Sequence, residues 1–161
     1  MNFNIIYGSP GSGKTTYIKD NKKHDDIVID IDLLCMALSM NDMHDKSEFG
    51  TLLAIRIRKY ILSMLWEYTE NKIDIWYPVA SIVLLDLVHL AIQFDASICI
   101  INPGKKICKE RLFHSERPDR NDLYRVIDRW YDYIDEVCNT LKEYDIKYIE
   151  YQAGSKDENN K

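Results

Sequence analysis

The sequence predicts an α/β fold, a parallel sheet of five strands with helices on both faces. Three observations predict it. Five short apolar runs, rich in β-branched and aromatic residues, alternate with stretches of helical period. Such alternation makes the strands parallel and joins them by right-handed crossovers. The first run leads through a glycine-rich loop directly into a helix. The chain has 161 residues, 46% of them hydrophobic and 29% charged, which suits one globular unit with a real core.

The first strand is Asn2-Phe3-Asn4-Ile5-Ile6-Tyr7. A helix follows over 14–19, with Tyr17 and Ile18 toward the sheet. The polar stretch 21–26 connects to a second strand, Ile27-Val28-Ile29-Asp30-Ile31-Asp32, and Asp32 is placed to N-cap a short helix over 33–40. After a loop over 41–47, a long helix spans 48 to about 70. Its apolar side is marked by Leu52, Ile55, Tyr60, Leu62, Leu65 and Trp66, a broad pattern. Ile73-Asp74-Ile75-Trp76-Tyr77 is a third strand that Pro78 should stop. Ser81 can cap the helix up to 94, whose polar positions are Asp86, His89 and Gln93. The fourth strand is Ser97-Ile98-Cys99-Ile100-Ile101. A helix over 105–114 is interrupted by Ser115-Glu116-Arg117-Pro118-Asp119. The last helix runs from about 121 to 142 with Leu123, Ile127, Trp130, Ile134, Val137 and Leu141 on one face, and 146–151 closes as a fifth strand. The domain reading is one unit over 1–153, with a lid segment at about 105–122 and a flexible polar tail over 154–161.

The loop carries the chemistry. Gly8-Ser9-Pro10-Gly11-Ser12-Gly13-Lys14-Thr15 fits G-x-x-x-x-G-K-[ST] at every required position. Glycines let the backbone curl so that successive N–H groups face a phosphate. Lys14 supplies a mobile charge for the β- and γ-phosphates, and the Thr15 hydroxyl suits Mg²⁺. The helix that starts near Gly13 aims its positive end at the same anion. Gly8, Ser9, Pro10, Gly11, Ser12, Gly13, Lys14, Thr15 and Thr16 are therefore the nucleotide-binding set, with Arg120 as a further contact.

Ligands in such sheets sit beyond the carboxyl ends of the strands, which directs attention to Asp30 and Asp32. Each has two readings. Asp32 is a helix cap or a base for a substrate hydroxyl; Asp30 is a structural carboxylate or a holder of a Mg²⁺-bound water. Eight basic residues lie between Lys105 and Arg129, with acids interleaved. Most of these suit a solvated helix face. Arg111 and Arg117 flank the helix break, so a segment closing there would bring a guanidinium to the moving phosphoryl group; Arg120 is a third candidate. Trp76 and Tyr77 are core residues or base-stacking platforms. Arg56, Arg58 and Lys59 read as a solvated face.

Composition excludes several classes. The net charge of −5 argues against a protein built to coat nucleic acid. Cys35, Cys99, Cys108 and Cys138 form no C-x-x-C pair, which removes zinc-ribbon and thioredoxin-type readings and suits reduced thiols. The apolar stretch 81–94 is too short to span a bilayer and no signal peptide is visible, so a cytoplasmic protein without a membrane partner is expected.

On these residues the chain resembles the P-loop kinase group, the small nucleoside, nucleotide and polynucleotide kinases. It is also similar to small phage-encoded "AAA family ATPase" proteins that are kinase-like. The shared motifs are G-x-P-G-S-G-K-T-T-Y at Gly8 to Tyr17, D-x-D-x-L at Asp30, Asp32 and Leu34, and an arginine-rich break from Glu110-Arg111 to Arg117-Pro118. A Trp-Tyr helix follows, at Trp130-Tyr131. The resemblance implies a three-layer P-loop NTPase fold with sheet order 2-3-1-4-5. It also implies ATP and Mg²⁺ as cofactors, Asp32 as general base, and a catalytic lid arginine among Arg111, Arg117 and Arg120. The third strand departs from the pattern, since Trp76-Tyr77-Pro78 occupies the end where an acid is usual. Mg²⁺ would then be held by Thr15 and, through water, by Asp30 or Asp32, and a true AAA motor is disfavoured.

The sequence is read as an ATP-dependent phosphotransferase acting on a hydroxyl or phosphate of a nucleoside, a nucleotide or a polynucleotide end, with Lys14, Asp32, Arg111 and Arg117 as catalytic residues. A non-motor NTPase or nucleotide-gated binding module is the alternative.

Overall fold

The structure is a computed structural model that describes residues 1–42, 45–68, 73–80, 83–115 and 117–152. Five strands, β1 (Asn2–Tyr7), β2 (Ile27–Val28), β3 (Asp74–Val79), β4 (Ser97–Ile101) and β5 (Tyr148–Tyr151), form one parallel sheet in the order β2-β3-β1-β4-β5. The helices are α1 (Lys14–Asn21), α2 (Ile31–Ser39), α3 (Glu48–Met64), α4 (Leu84–Phe94), α5 (Lys105–Phe113) and α6 (Arg120–Glu143), and a 3-10 turn at Leu65–Tyr68 extends α3.

The two sheet faces are unequal. On one, Phe3, Ile5, Ile75, Ile98 and Ile100 pack beneath Leu62 of α3, Leu87 and Ala91 of α4, and Trp130, Val137 and Leu141 of α6. On the other, Ile6, Trp76, Cys99 and Ile101 are covered by Ile18 and Tyr17 of α1. A third apolar cluster, Cys108, Leu112 and Ile127, joins α5 to α6. Period 2 along β1 serves both faces at once, which is why this central strand reads as a continuous apolar run.

The α6 face predicted from sequence is the buried one, with Ile127, Trp130, Val137 and Leu141 in the core. The set proposed for the long helix is corrected. Leu52 and Tyr60 are exposed, Leu62 and Leu65 are buried as expected, and Ala54, outside that set, also turns inward. A helix apolar over so wide an arc does not reveal its buried side by pattern alone.

The second strand is shorter than expected. Its ladder to β3 ends with Ile29 N–H on the Trp76 carbonyl at 2.9 Å, and the chain then turns into α2. Asp30, not Asp32, is the N-cap of α2; its Oδ1 accepts from the Asp32 N–H at 2.6 Å. The short Asp side chain captures the backbone amide two residues on and ends the strand.

Pro78 does not stop β3, which runs on to Val79. Trp76 turns its carbonyl toward β2 and Val79 turns its carbonyl toward Gly8, so residue 78 faces the β2 side, beyond the point where β2 has left. The missing proline N–H therefore breaks no ladder bond. Val83 occupies the cap position of α4; the expected cap Ser81 and the tail over 154–161 lie outside the described residues. Among the described residues no helix is long and apolar enough to cross a membrane.

Candidate active site

The loop between β1 and α1 lies at the carboxyl edge of the sheet. Gly8 N–H donates to the Val79 carbonyl at 3.1 Å, which fixes the start of the loop against β3. Gly11 and Gly13 take φ of 75° and 102°, the left-handed region that side chains disfavour. A Cβ on Gly11 would stand 2.7 Å from the Cys108 carbonyl oxygen, so α5 also demands glycine there. Gly13 is the N-cap of α1 and no side chain caps that helix, leaving its first N–H groups for an external anion. Ser12 Oγ is buried without a hydrogen-bond partner inside the same loop.

Lys14 folds back over this cradle, its Nζ donating to the Gly8 and Ser9 carbonyls at 2.8 and 2.9 Å. Burial lowers its pKa to about 8, against the opposing pull of Asp30 first, then Cys108 and Asp32. Both carboxylates of the D-x-D stretch thus act on the loop lysine, although they sit on the cap and first turn of α2 instead of on a strand. Burial raises the Asp30 carboxyl above its usual range, and the neighbouring Asp32 adds to this. Asp32 is held by Lys46, Nζ to Oδ1 at 2.5 Å.

The three candidate arginines separate. Arg111 on α5 donates to the Gly11 and Ser12 carbonyls at 3.3 and 3.2 Å, so it braces the loop from behind. Arg117 lies in the break between α5 and α6 and makes a two-pronged pair with Asp119, both bonds 3.1 Å. Burial would raise the Asp119 carboxyl, but the Arg117 fork outweighs it and holds the group below the usual range, with Lys46 adding to the effect. The Arg117 charge also lowers Lys14, as the smallest of the named contributions. Arg120 donates to the Phe113 carbonyl at 2.9 Å and lies over the Phe113 ring, closing the helix break.

Thr15 and Thr16 are exposed in the first turn of α1. The Thr15 hydroxyl and the Asp30 carboxylate, whose charge acts on Lys14, are both hard oxygen donors. Few protein ligands suffice for Mg²⁺, which keeps most of its waters. The residues fit that ion, and the glycine cradle with its orphan Ser12 hydroxyl and uncapped helix fits a phosphate.

Two residues that the sequence reading left aside make specific contacts. Lys46 read as part of a plain loop. Arg58 read as a solvated face, yet its guanidinium lies 4.9 Å from the centre of the buried Tyr77 ring, and its Nε is buried without a partner. The signal for Arg58 was its interval of four from the inward-facing Ala54 and Leu62. Arg56 and Lys59 are exposed as expected. Trp76 and Tyr77 are both buried in the core, on opposite faces of the sheet.

No protein-family model matches the sequence, and no curated protein matches it. Solved structures do. Shikimate kinase from Bacteroides thetaiotaomicron superposes with a TM-score of 0.54 at 17% identity, over 98% of this chain and 90% of that one. Shikimate kinase from Acinetobacter baumannii, in complex with shikimate, gives 0.52 at 13% identity over 91% and 81%. The chain has a P-loop kinase fold. Deoxyadenosine kinase from M. mycoides with bound dATP gives 0.47 at 10% identity over 94% and 90%. At these identities the likeness to the P-loop kinases is one of fold, and roles at the site rest on this chain's own residues.

Proposed function

We propose that the protein is an ATP-dependent kinase that moves the γ-phosphoryl group of ATP·Mg²⁺ to a hydroxyl or phosphate of a nucleoside, a nucleotide or a polynucleotide end. One observation carries this reading. An uncapped, glycine-curled loop with a buried orphan hydroxyl faces Lys14, while two carboxylates and Arg117 stand close enough to shift the charges around it.

In this reading Gly8 to Thr16 hold the nucleotide phosphates, and Lys14 exchanges its bonds to the Gly8 and Ser9 carbonyls for the β- and γ-phosphates. Mg²⁺, held by Thr15 and by water on Asp30, would supply charge neutralisation between the phosphates. Asp32 accepts the proton of the acceptor hydroxyl. Arg117 leaves Asp119 to meet the charge that spreads over the equatorial oxygens in the transition state, while Arg111 and Arg120 hold the loop and the lid.

The acceptor side favours a small molecule over a polynucleotide end. A cavity of about 240 Å³ lies at the same sheet edge, lined by Tyr7 and Ala80 beside the loop, Leu84 of α4, and Val126, Arg129, Trp130 and Tyr133 of α6. Trp130 is buried and its Nε1 has no partner. That space is below the usual range for drug-sized ligands.

The test is transfer of labelled γ-phosphate from ATP with Mg²⁺ to nucleosides, nucleoside monophosphates and 5′-hydroxyl oligonucleotides. Label on one acceptor class, abolished by Lys14→Ala, is the expected result. ATP consumption with no labelled acceptor would replace this reading with that of an NTPase or nucleotide-gated module.

A further inference from the structure

We propose that Tyr131 is a positioning residue that, through the sulfur of Cys108, holds Ser9 and with it the resting place of Lys14. The inference rests on the kinase reading in taking the loop as a nucleotide cradle, but the anchor itself is a set of contacts between α6, α5 and the loop.

Ser9 is wholly buried. Its Oγ donates to the Cys108 Sγ at 3.1 Å, and the same proton can turn to the Pro10 carbonyl at 3.2 Å. Cys108 on α5 is equally buried, and its sulfur lies 3.5 Å from the Tyr131 hydroxyl on α6. One polarisable sulfur thus stands between two hydroxyls from different elements. Its other surroundings are apolar, with Leu112 and Ile127 in the same cluster. The phenol reaches it from a fixed point. The Tyr131 ring stands edge-on against Trp130, centroids 4.8 Å apart, and packs on the apolar cluster that joins α5 to α6. Burial raises the phenol above its ordinary range and the bond to Cys108 adds to this, so it stays a neutral hydroxyl.

The main chain of Ser9 serves the cradle. Its carbonyl accepts from Ser12 N–H at 3.1 Å and from Lys14 Nζ at 2.9 Å. What grips the Ser9 side chain therefore fixes the turn to Ser12 and the carbonyl on which Lys14 rests. The other braces act further along, where Arg111 meets the Gly11 and Ser12 carbonyls and Gly11 lies against the Cys108 backbone. Without the Tyr131 hydroxyl, the link from α6 is cut and the Ser9 proton is free to settle on Pro10, a contact internal to the loop. The loop then loosens at its start but keeps its later braces. A loosened cradle has to be ordered when nucleotide binds, so the defect falls on nucleotide affinity and not on the chemical step.

The experiment compares Tyr131→Phe, Ser9→Ala and the double variant in the full chain. The control is Tyr144→Phe, which alters an exposed phenol at the far end of α6. Tyr131→Phe should raise the Kd for ATP·Mg²⁺ roughly 3- to 10-fold, the range of one neutral hydrogen bond, with kcat within about twofold of wild type. Ser9→Ala should weaken binding by a similar factor, and the double variant should be no worse than the worse single one, because both cut the same link. Tyr144→Phe should change nothing. An unchanged Kd in Tyr131→Phe, including one accompanied by a lower Tm, or additive losses in the double variant would each overturn the proposal. Hydrogen exchange of the peptide covering 8–16 in nucleotide-free protein is the arm that needs neither ATP nor activity. Faster exchange in Tyr131→Phe than in wild type supports the anchor even if ATP fails to bind or no acceptor is ever labelled, outcomes that would sink the kinase reading alone; equal exchange overturns the anchor.

Discussion

Gly11 is constrained twice, by its φ of 75° and by the Cys108 carbonyl oxygen 2.7 Å from where a Cβ would stand. Gly11→Ala must therefore strain the loop or push α5 away. The expected cost is about 1–3 kcal/mol of stability, read by denaturant titration, with weaker ATP binding alongside. Tyr7 makes a second prediction at this scale. Burial, with nearby Cys138, raises its phenol to about 12. An unfolded chain ionises the same phenol near pH 10. Between roughly pH 10 and 12 the unfolded state gives up this proton and the folded state keeps it, so raising the pH lowers stability. Tyr7→Phe should make that decline shallower in denaturant titrations across the window; an unaltered slope would remove Tyr7 as a source. The glycines and Lys14 were legible in the sequence because the phosphate loop is made of neighbours in the chain. Lys46 and Arg58 were not, because Lys46 is defined by Asp32, fourteen positions away, and Arg58 by the ring of Tyr77 on another element.

Among the elements, α5 is docked on the glycine-rich loop. Its Cys108 backbone closes on Gly11, Cys108 Sγ accepts from Ser9 Oγ at 3.1 Å, and Arg111 donates to the loop carbonyls one turn later. A helix docked at three points braces the loop, whereas Arg117 in the break pairs with Asp119. Their variants should therefore differ in kind. Arg111→Met should weaken ATP binding roughly tenfold, the worth of one charged hydrogen bond, with little change in kcat. Arg117→Met should leave ATP affinity nearly intact and cut kcat by about 10²–10³, the signature of a charge used only in the transition state. Equal effects on Kd and kcat in both variants would contradict this division. Element legibility followed the same logic. The stripe of α6 is narrow and repeats, so its face could be read. The end of β2 could not, because Asp30 fits equally well as a strand residue or a cap, and only the hydrogen bond to Asp32 N–H decides.

At the scale of the whole molecule, the sheet order brings two different surfaces to one edge. β1 leads into the glycine-rich loop, and β3 beside it ends at Val79, followed by Ala80, which lines the cavity under α4 and α6. Tyr7, the last residue of β1, belongs to both, since it precedes Gly8 and forms part of the cavity wall. A kinase needs this adjacency, because its two substrates must meet end to end while being bound by separate surfaces. The adjacency predicts a separable lesion. Val126 lines the cavity from α6 and has no part in the loop. Val126→Trp should fill part of the 240 Å³ and raise the acceptor KM or abolish transfer, while ATP titrations and thermal stability stay close to wild type. Should the variant lose ATP binding as well, the cavity and the loop are one compartment. If it transfers phosphate normally, the acceptor is bound elsewhere along the edge, and the α2–α3 side that carries Asp32, Lys46 and Arg58 becomes the surface to probe.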